Sequence, residues 1–180
     1  MSAFSAKNYI LKNGRNLPIE RCFIGTSSDE FGIDQCMIIR KQPSGYFSIA
    51  LFLVDTFCLG VKDVIYNCNL TTFDIQEMIS RILQSSTIKD VTPAEFHNHI
   101  YASIDYAESF GLMPCKDFKY AEYLLNPDLI DDGIEDVELG KDGKPLYIAG
   151  PFDPVKNILA ALNRTIGEGN YDYILPVDEL

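Results

Sequence analysis

Apolar positions follow two rhythms along this chain. From Ile19 to Cys68 they come in short runs separated by polar turns, as in strands, and from Thr71 to Leu125 they recur every three or four residues, as in helices. Residues 19–25 and 35–41 read as strands joined by a polar connection over 25–30. Gln42-Pro43-Ser44-Gly45 reads as a turn, because proline presets one backbone angle and glycine takes the positive one. It predicts an antiparallel hairpin between 36–41 and 46–55. Apolar residues fill both parities of 47–54, which predicts a strand covered on both faces and interior to its sheet. Residues 61–68 either continue it or form a fourth strand after a bend at Gly60.

The helical block has clear start signals. Thr71 or Thr72 caps a helix reaching about Gln84, with Phe73, Ile75, Met78, Ile79 and Ile82 as its apolar stripe. Thr92-Pro93-Ala94-Glu95 combines a cap hydroxyl, a proline at the first position and a capping-box glutamate, so a second helix runs to Phe110 and stops at Gly111. A third covers 116–125 and ends before Pro127. An acidic loop over 126–136 contains Asp128, Asp131, Asp132 and Glu135. Beyond it, 137–139 and 146–148 flank a Gly-bounded turn and predict a small hairpin, after which Asp153-Pro154 opens a last helix closed by Gly167. The expected fold is one α+β domain over 1–180, an antiparallel meander sheet packed against a helical layer, with a small C-terminal hairpin and final helix. The acidic loop is the only candidate internal boundary.

Composition narrows the function classes. The chain has 180 residues, 47% of them apolar and 12% aromatic, enough to bury a core. A net charge of -11 argues against wrapping nucleic acid, which needs concentrated Lys and Arg. Lys7, Lys12 and Arg15 form the densest basic group and read as a solvated N-terminal arm. Five cysteines, at 22, 36, 58, 68 and 115, show no paired spacing and suggest free thiols in a reducing compartment. No stretch reads as a signal peptide or reaches the roughly 20 apolar residues of a membrane helix, so a cytoplasmic location without membrane partners is expected. On that reading the sequons Asn69-Leu70-Thr71 and Asn163-Arg164-Thr165 are chance matches, and the terminal Val-Asp-Glu-Leu is not an ER retrieval address.

The run from Tyr46 to Tyr66 ends in a polar knot of Asp55, Gly60, Lys62 and Asp63. A carboxylate in an apolar strand is costly unless paired or neutral, and Lys62 is the natural partner. One expectation is a structural ion pair that fixes the bend. The other is a metal-dependent nuclease or phosphohydrolase, with Asp55 and Asp63 holding Mg or Mn, a third ligand from Asp34 or Glu30, and Lys62 meeting the developing charge. Nucleic acid enters as a substrate only there.

Phe96-His97-Asn98-His99 spells the letters of a nuclease motif, yet inside a helix residues two apart point to nearly opposite sides and cannot grip one ion. Helical spacing instead groups His97, Tyr101, Asp105 and Glu108 on one face, for acid/base work, for recognition or as an ordinary solvated surface. Gly140-Lys141-Asp142-Gly143-Lys144 lacks the strand and helix of a phosphate-binding loop and reads as a turn. Tyr147 and Phe152 beside it are expected to be exposed and suited to docking.

The segments LVDTFCLGVKD (53–63), IYASIDYAESFGLMPCKDF (100–118) and ELGKDGKPLYIAGPFD (138–153) together resemble an uncharacterised group of bacterial cytoplasmic proteins with the same order of blocks. The resemblance supplies no activity or catalytic residues. It carries one departure: Cys115 stands where the group's pattern has a histidine. The leading expectation is a cytosolic accessory or immunity-type protein that binds a macromolecule, most plainly a basic protein, through an acidic surface. Asp131, Asp132, Tyr147, Phe152, His97 and Tyr101 are its candidate contacts, with no cofactor.

Overall fold

A computed structural model describes residues 5–27 and 30–176. The retrieval-like tetrapeptide 177–180 and part of the connection over 25–30 lie outside the described residues. The sheet contains β1 (Ile19–Thr26), β2 (Ile33–Lys41), β3 (Phe47–Asp55), β4 (Gly60–Leu70) and β5 (Thr87–Asp90), ordered β4-β3-β2-β1-β5. Every pairing is antiparallel. The expected meander is therefore present, and the turn at 42–45 closes as read: Gly45 has φ +86° and its N–H donates to the Gln42 carbonyl at 3.0 Å.

Both faces of the sheet are covered, which explains the unbroken apolar run of β3. On one face Cys36, Ile38, Ala50 and Phe52 meet Phe96 and Ile100 of α3 (Pro93–Glu108) together with Leu124. On the other, Phe23, Met37, Ile39 and Ile49 meet Ile75 and Ile82 of α2 (Thr72–Ile82). Both helices begin with capping boxes, Thr92 with Glu95 as its sequence announces and Thr71 with Asp74, where the sequence offered only Thr71 or Thr72 as a cap.

Three elements were absent from the expectations, an N-terminal helix, strand β5 and a last strand, Asp172–Ile174. The basic arm is corrected: Ala6–Asn13 is a helix, α1, docked through the fully buried Ile10, with Lys7 Nζ 3.9 Å from the Tyr120 ring centroid. Lys7 and Arg15 lie over the rings of Tyr120 and Tyr123, whereas Lys12 stays exposed. Strand β5 is only four residues long and mostly exposed, too short to show a period.

The third expected helix shortens to α4 (Phe118–Ala121), continued by a 3-10 turn over Glu122–Leu124. The C-terminal reversal is a single antiparallel bridge between Lys141 and Lys144. Its outgoing strand β6 (Leu146–Ile148) pairs in parallel with β7 (Asp172–Ile174), across the last helix α5 (Val155–Thr165). This unit packs Tyr147, Ile158 and Leu162 against Cys58, Ala107 and Phe110, at the β3–β4 turn and the end of α3.

Candidate functional site

The knot after β3 is held together from within. Asp55 is 2% exposed, and its Oδ1 accepts hydrogen bonds from the Phe57 and Cys58 N–H groups at 3.0 and 2.9 Å. Burial pushes its carboxyl up to about 6, against the opposing pull of Lys62 and of these amides. Gly60 has φ +64°, and a Cβ there would sit 2.8 Å from the Ser103 carbonyl oxygen, so only glycine lets the turn approach α3.

A bulge then sets the direction of Lys62. Leu53 pairs with Asp63 and Val54 with Val61, which leaves Lys62 as the extra residue of β4. Its Nζ donates to Asp153 Oδ2 at 3.0 Å, and the same oxygen accepts from the Gly150 N–H at 2.8 Å and the Tyr147 hydroxyl at 3.3 Å. The pair links the β4 bulge to the C-terminal unit.

The expected ligand set is thereby corrected. Asp55 is held by amides, Lys62 turns to Asp153, and Asp63 is exposed with Oδ1 accepting from the Val64 N–H at 2.8 Å. Asp34 pairs across from Val54 on the α3 face, whereas Asp63 pairs across from Leu53 on the opposite one. These carboxylates do not converge. Among the described residues, no group of three His, Cys, Asp or Glu side chains is placed to hold a metal ion.

Asp34 belongs to a different place. An open cleft of about 630 Å³ lies between the sheet end, α3 and the segment 134–142. Its lining holds six acidic residues, Asp34, Glu95, Glu135, Asp136, Glu138 and Asp142, against two lysines, Lys89 and Lys141. At its floor Asp34 Oδ2 lies 2.9 Å from His99 Nε2, with side chains 10% and 12% exposed. The contact has ion-pair distance, but the ring nitrogen is out of line for a hydrogen bond and has no hydrogen-bond partner among the described residues.

The two histidines differ as helical geometry requires. His97 is fully buried. Its Nε2 accepts from the Asn126 N–H at 2.9 Å, so Nδ1 carries the proton and donates to the Pro93 carbonyl. Burial lowers its pKa, and the ring is a neutral strut. Its place on a recognition stripe is corrected accordingly: Tyr101 is half-buried, Asp105 and Glu108 are exposed, and His97 shares no surface with them.

Asn98 completes the anchoring of the acidic loop. Its amide nitrogen donates to the Asp131 carbonyl at 2.7 Å, and its oxygen accepts from the Asp131 N–H at 3.0 Å. Asp131 in turn accepts from the Gly133 N–H at 2.8 Å, so this carboxylate shapes the loop. Asp132 is exposed and without an ion pair among the described residues. The paired aromatics separate as well. Phe152 is 97% exposed, as expected, but Tyr147 is fully buried against Leu162, which corrects its assignment as a docking residue.

The thiols behave as small apolar groups. Four are buried, and burial pushes Cys22 and Cys58 up to about 12. Cys115 is only half-buried, yet desolvation with Asp63 and Asp117 nearby also raises it, away from the thiolate a nucleophile needs.

Sequence reasoning missed His99 as a floor residue and Asp153 as the partner of Lys62. Glu95 and His99 are one helical turn apart and share the cleft, so an i, i+4 search from the capping box would have reached the histidine. Asp153 had no such signal, since the pairing spans 91 positions. No helix among the described residues is long and apolar enough to cross a membrane. Comparisons with protein-family models, with curated proteins and with solved structures return no match for the chain.

Proposed function

We propose that the protein acts by binding a basic protein through the acidic cleft between α3 and the 134–142 segment, in an accessory or immunity-type role that neutralises its partner. One observation carries this reading. Glu135, Asp136 and Glu138 are exposed on the wall of a preformed cleft, and none is in an ion pair among the described residues. A surface of like charges without counter-ions raises the local concentration of a cationic partner and speeds its encounter. His97 and Asn98 tie the chain to α3 at Asn126 and Asp131 before the wall, and the Gly140 N–H donates to the Thr56 carbonyl at 2.9 Å beyond it, so the surface is organised before a partner arrives.

The test is titration of a lysine- and arginine-rich peptide into the full chain by calorimetry at low and high salt. Binding should weaken as salt screens it. The triple reversal Glu135→Lys, Asp136→Lys and Glu138→Lys should abolish it. A charge-matched reversal of Glu20, Glu77 and Glu168, which are absent from the cleft lining, should reduce it only slightly. Equal losses in the two triple variants would reduce the effect to net charge and sink the reading.

A further inference from the structure

We infer that the floor of this cleft seats an arginine side chain of the partner, with its guanidinium on Asp34; the inference rests on the acidic-cleft reading above. Asp34 is 7% exposed; its Oδ2 lies 2.9 Å from His99 Nε2, and its Oδ1 meets no donor among the described residues. Other polar groups around it already have partners. Glu95 accepts from the Thr92 N–H at 2.7 Å, the Asn98 amide is matched to Asp131, and the Thr56 hydroxyl donates to the Gly32 carbonyl at 3.1 Å. A buried carboxylate short of donors is unfavourable in isolation, and here it opens onto a cavity large enough for a side chain.

Three features select the guest. The acidic wall excludes phosphate and carboxylate ligands, and the absence of a convergent ligand set among the described residues disfavours a metal ion. A guanidinium presents a planar fork that meets both carboxylate oxygens and is more weakly hydrated than an ammonium, so it enters a nearly closed floor more readily. The wall already seats one cation against an aromatic ring: Lys141 Nζ lies 5.3 Å from the centroid of Phe57, which is 8% exposed.

The experiment compares three peptides of one lysine-rich sequence, with arginine, citrulline or lysine at a single position, titrated into the full chain by calorimetry. The His99 ring is followed by NMR in parallel. The arginine peptide should bind about tenfold or more tightly than the other two, the difference expected of a charge-assisted hydrogen-bonded pair. It alone should shift the His99 ring signals, and Asp34→Asn should bring it down to the citrulline level. Equal binding of all three peptides that is still lost in the Glu135, Asp136 and Glu138 reversal overturns the arginine seat and leaves the acidic-cleft reading standing. No binding by any of them overturns both. Should Asp34→Asn fail to fold, the arginine-to-citrulline comparison decides alone, because it leaves the protein unchanged.

Discussion

Two buried aspartates stand near the same end of the sheet, and their surroundings differ. Asp55 accepts two amide hydrogen bonds inside a turn, and neighbouring Lys62 is matched to Asp153, whose Oδ2 is met by three donors. Asp34 is almost as buried, but among the described residues only His99 Nε2 meets it, on Oδ2, and it opens onto the cleft. A buried charge whose partners are already in place carries structure, whereas one left short beside a cavity is available for recognition. Burial alone, the property a sequence hints at, does not separate the two cases.

The largest expected effect comes from breaking the closed side. Lys62 and Asp153 are 16% and 13% exposed, so Lys62→Ala leaves a largely desolvated carboxylate without its cation. Urea unfolding should show a loss of about 3 kcal/mol, the low end for a broken buried pair because some solvent remains. Asp34→Asn disturbs only the contact to His99 among the described residues and should lose less. A large loss at Asp34 with a small one at Lys62 would invert the comparison.

Asp55 adds a pH signature. Its folded pKa of about 6 lies above the ordinary carboxyl value of 3.8, so the folded state holds the extra proton between these values. The associated stability is fully present below pH 3.8 and is lost as pH rises through 6. Asp55→Asn keeps an oxygen for the turn amides and does not titrate. Relative to the wild type it should gain about 2 kcal/mol between pH 4 and pH 8, read as the difference between paired urea curves. A constant difference across that range would mean that Asp55 is ionised in the fold throughout.

Much of the scaffold was legible because its signals are local. The Pro-Ser-Gly turn gave the β2–β3 hairpin, a threonine cap gave the start of α2 and a capping box the start of α3. Helix α1 was hidden because its basic residues resemble a solvated arm until the rings of Tyr120 and Tyr123 are in place. The candidate site was less legible for the same reason. The acidic loop and Asp34 were visible as charge, but Lys62 looked like the partner of its sequence neighbours until the β4 bulge turned it toward a residue 91 positions away. The His97-Asn98-His99 segment shows the limit most clearly. Helical phase says that the two imidazoles diverge, and only the tertiary contacts say which one is a strut and which one reaches the cleft.

That strut carries a smaller effect of opposite sign to Asp55. The folded pKa of His97 is lowered by burial, so the unfolded chain takes up the proton first as pH falls below the ordinary histidine value near 6.5. The stability of the neutral ring is present above that pH and declines below it. His97→Gln cannot titrate, so its own stability should fall less steeply than the wild type's between pH 7 and pH 5. Parallel curves would show that the ring accepts its proton without leaving the fold.

The smallest effect belongs to the open side. Glu135, Asp136 and Glu138 are exposed and have no ion pairs among the described residues, so reversing them removes nothing that holds the chain together. The triple reversal should change unfolding free energy by less than about 0.5 kcal/mol, with any gain from relieved repulsion shrinking as salt is added. A wall that abolishes peptide binding when reversed yet leaves urea unfolding unmoved is held in place by the flanking anchors at Asn126, Asp131 and Gly140, not by its own charges. A loss near that of Lys62→Ala would instead make the acidic wall a structural part of the fold, and the contrast between the closed knot and the open cleft would disappear.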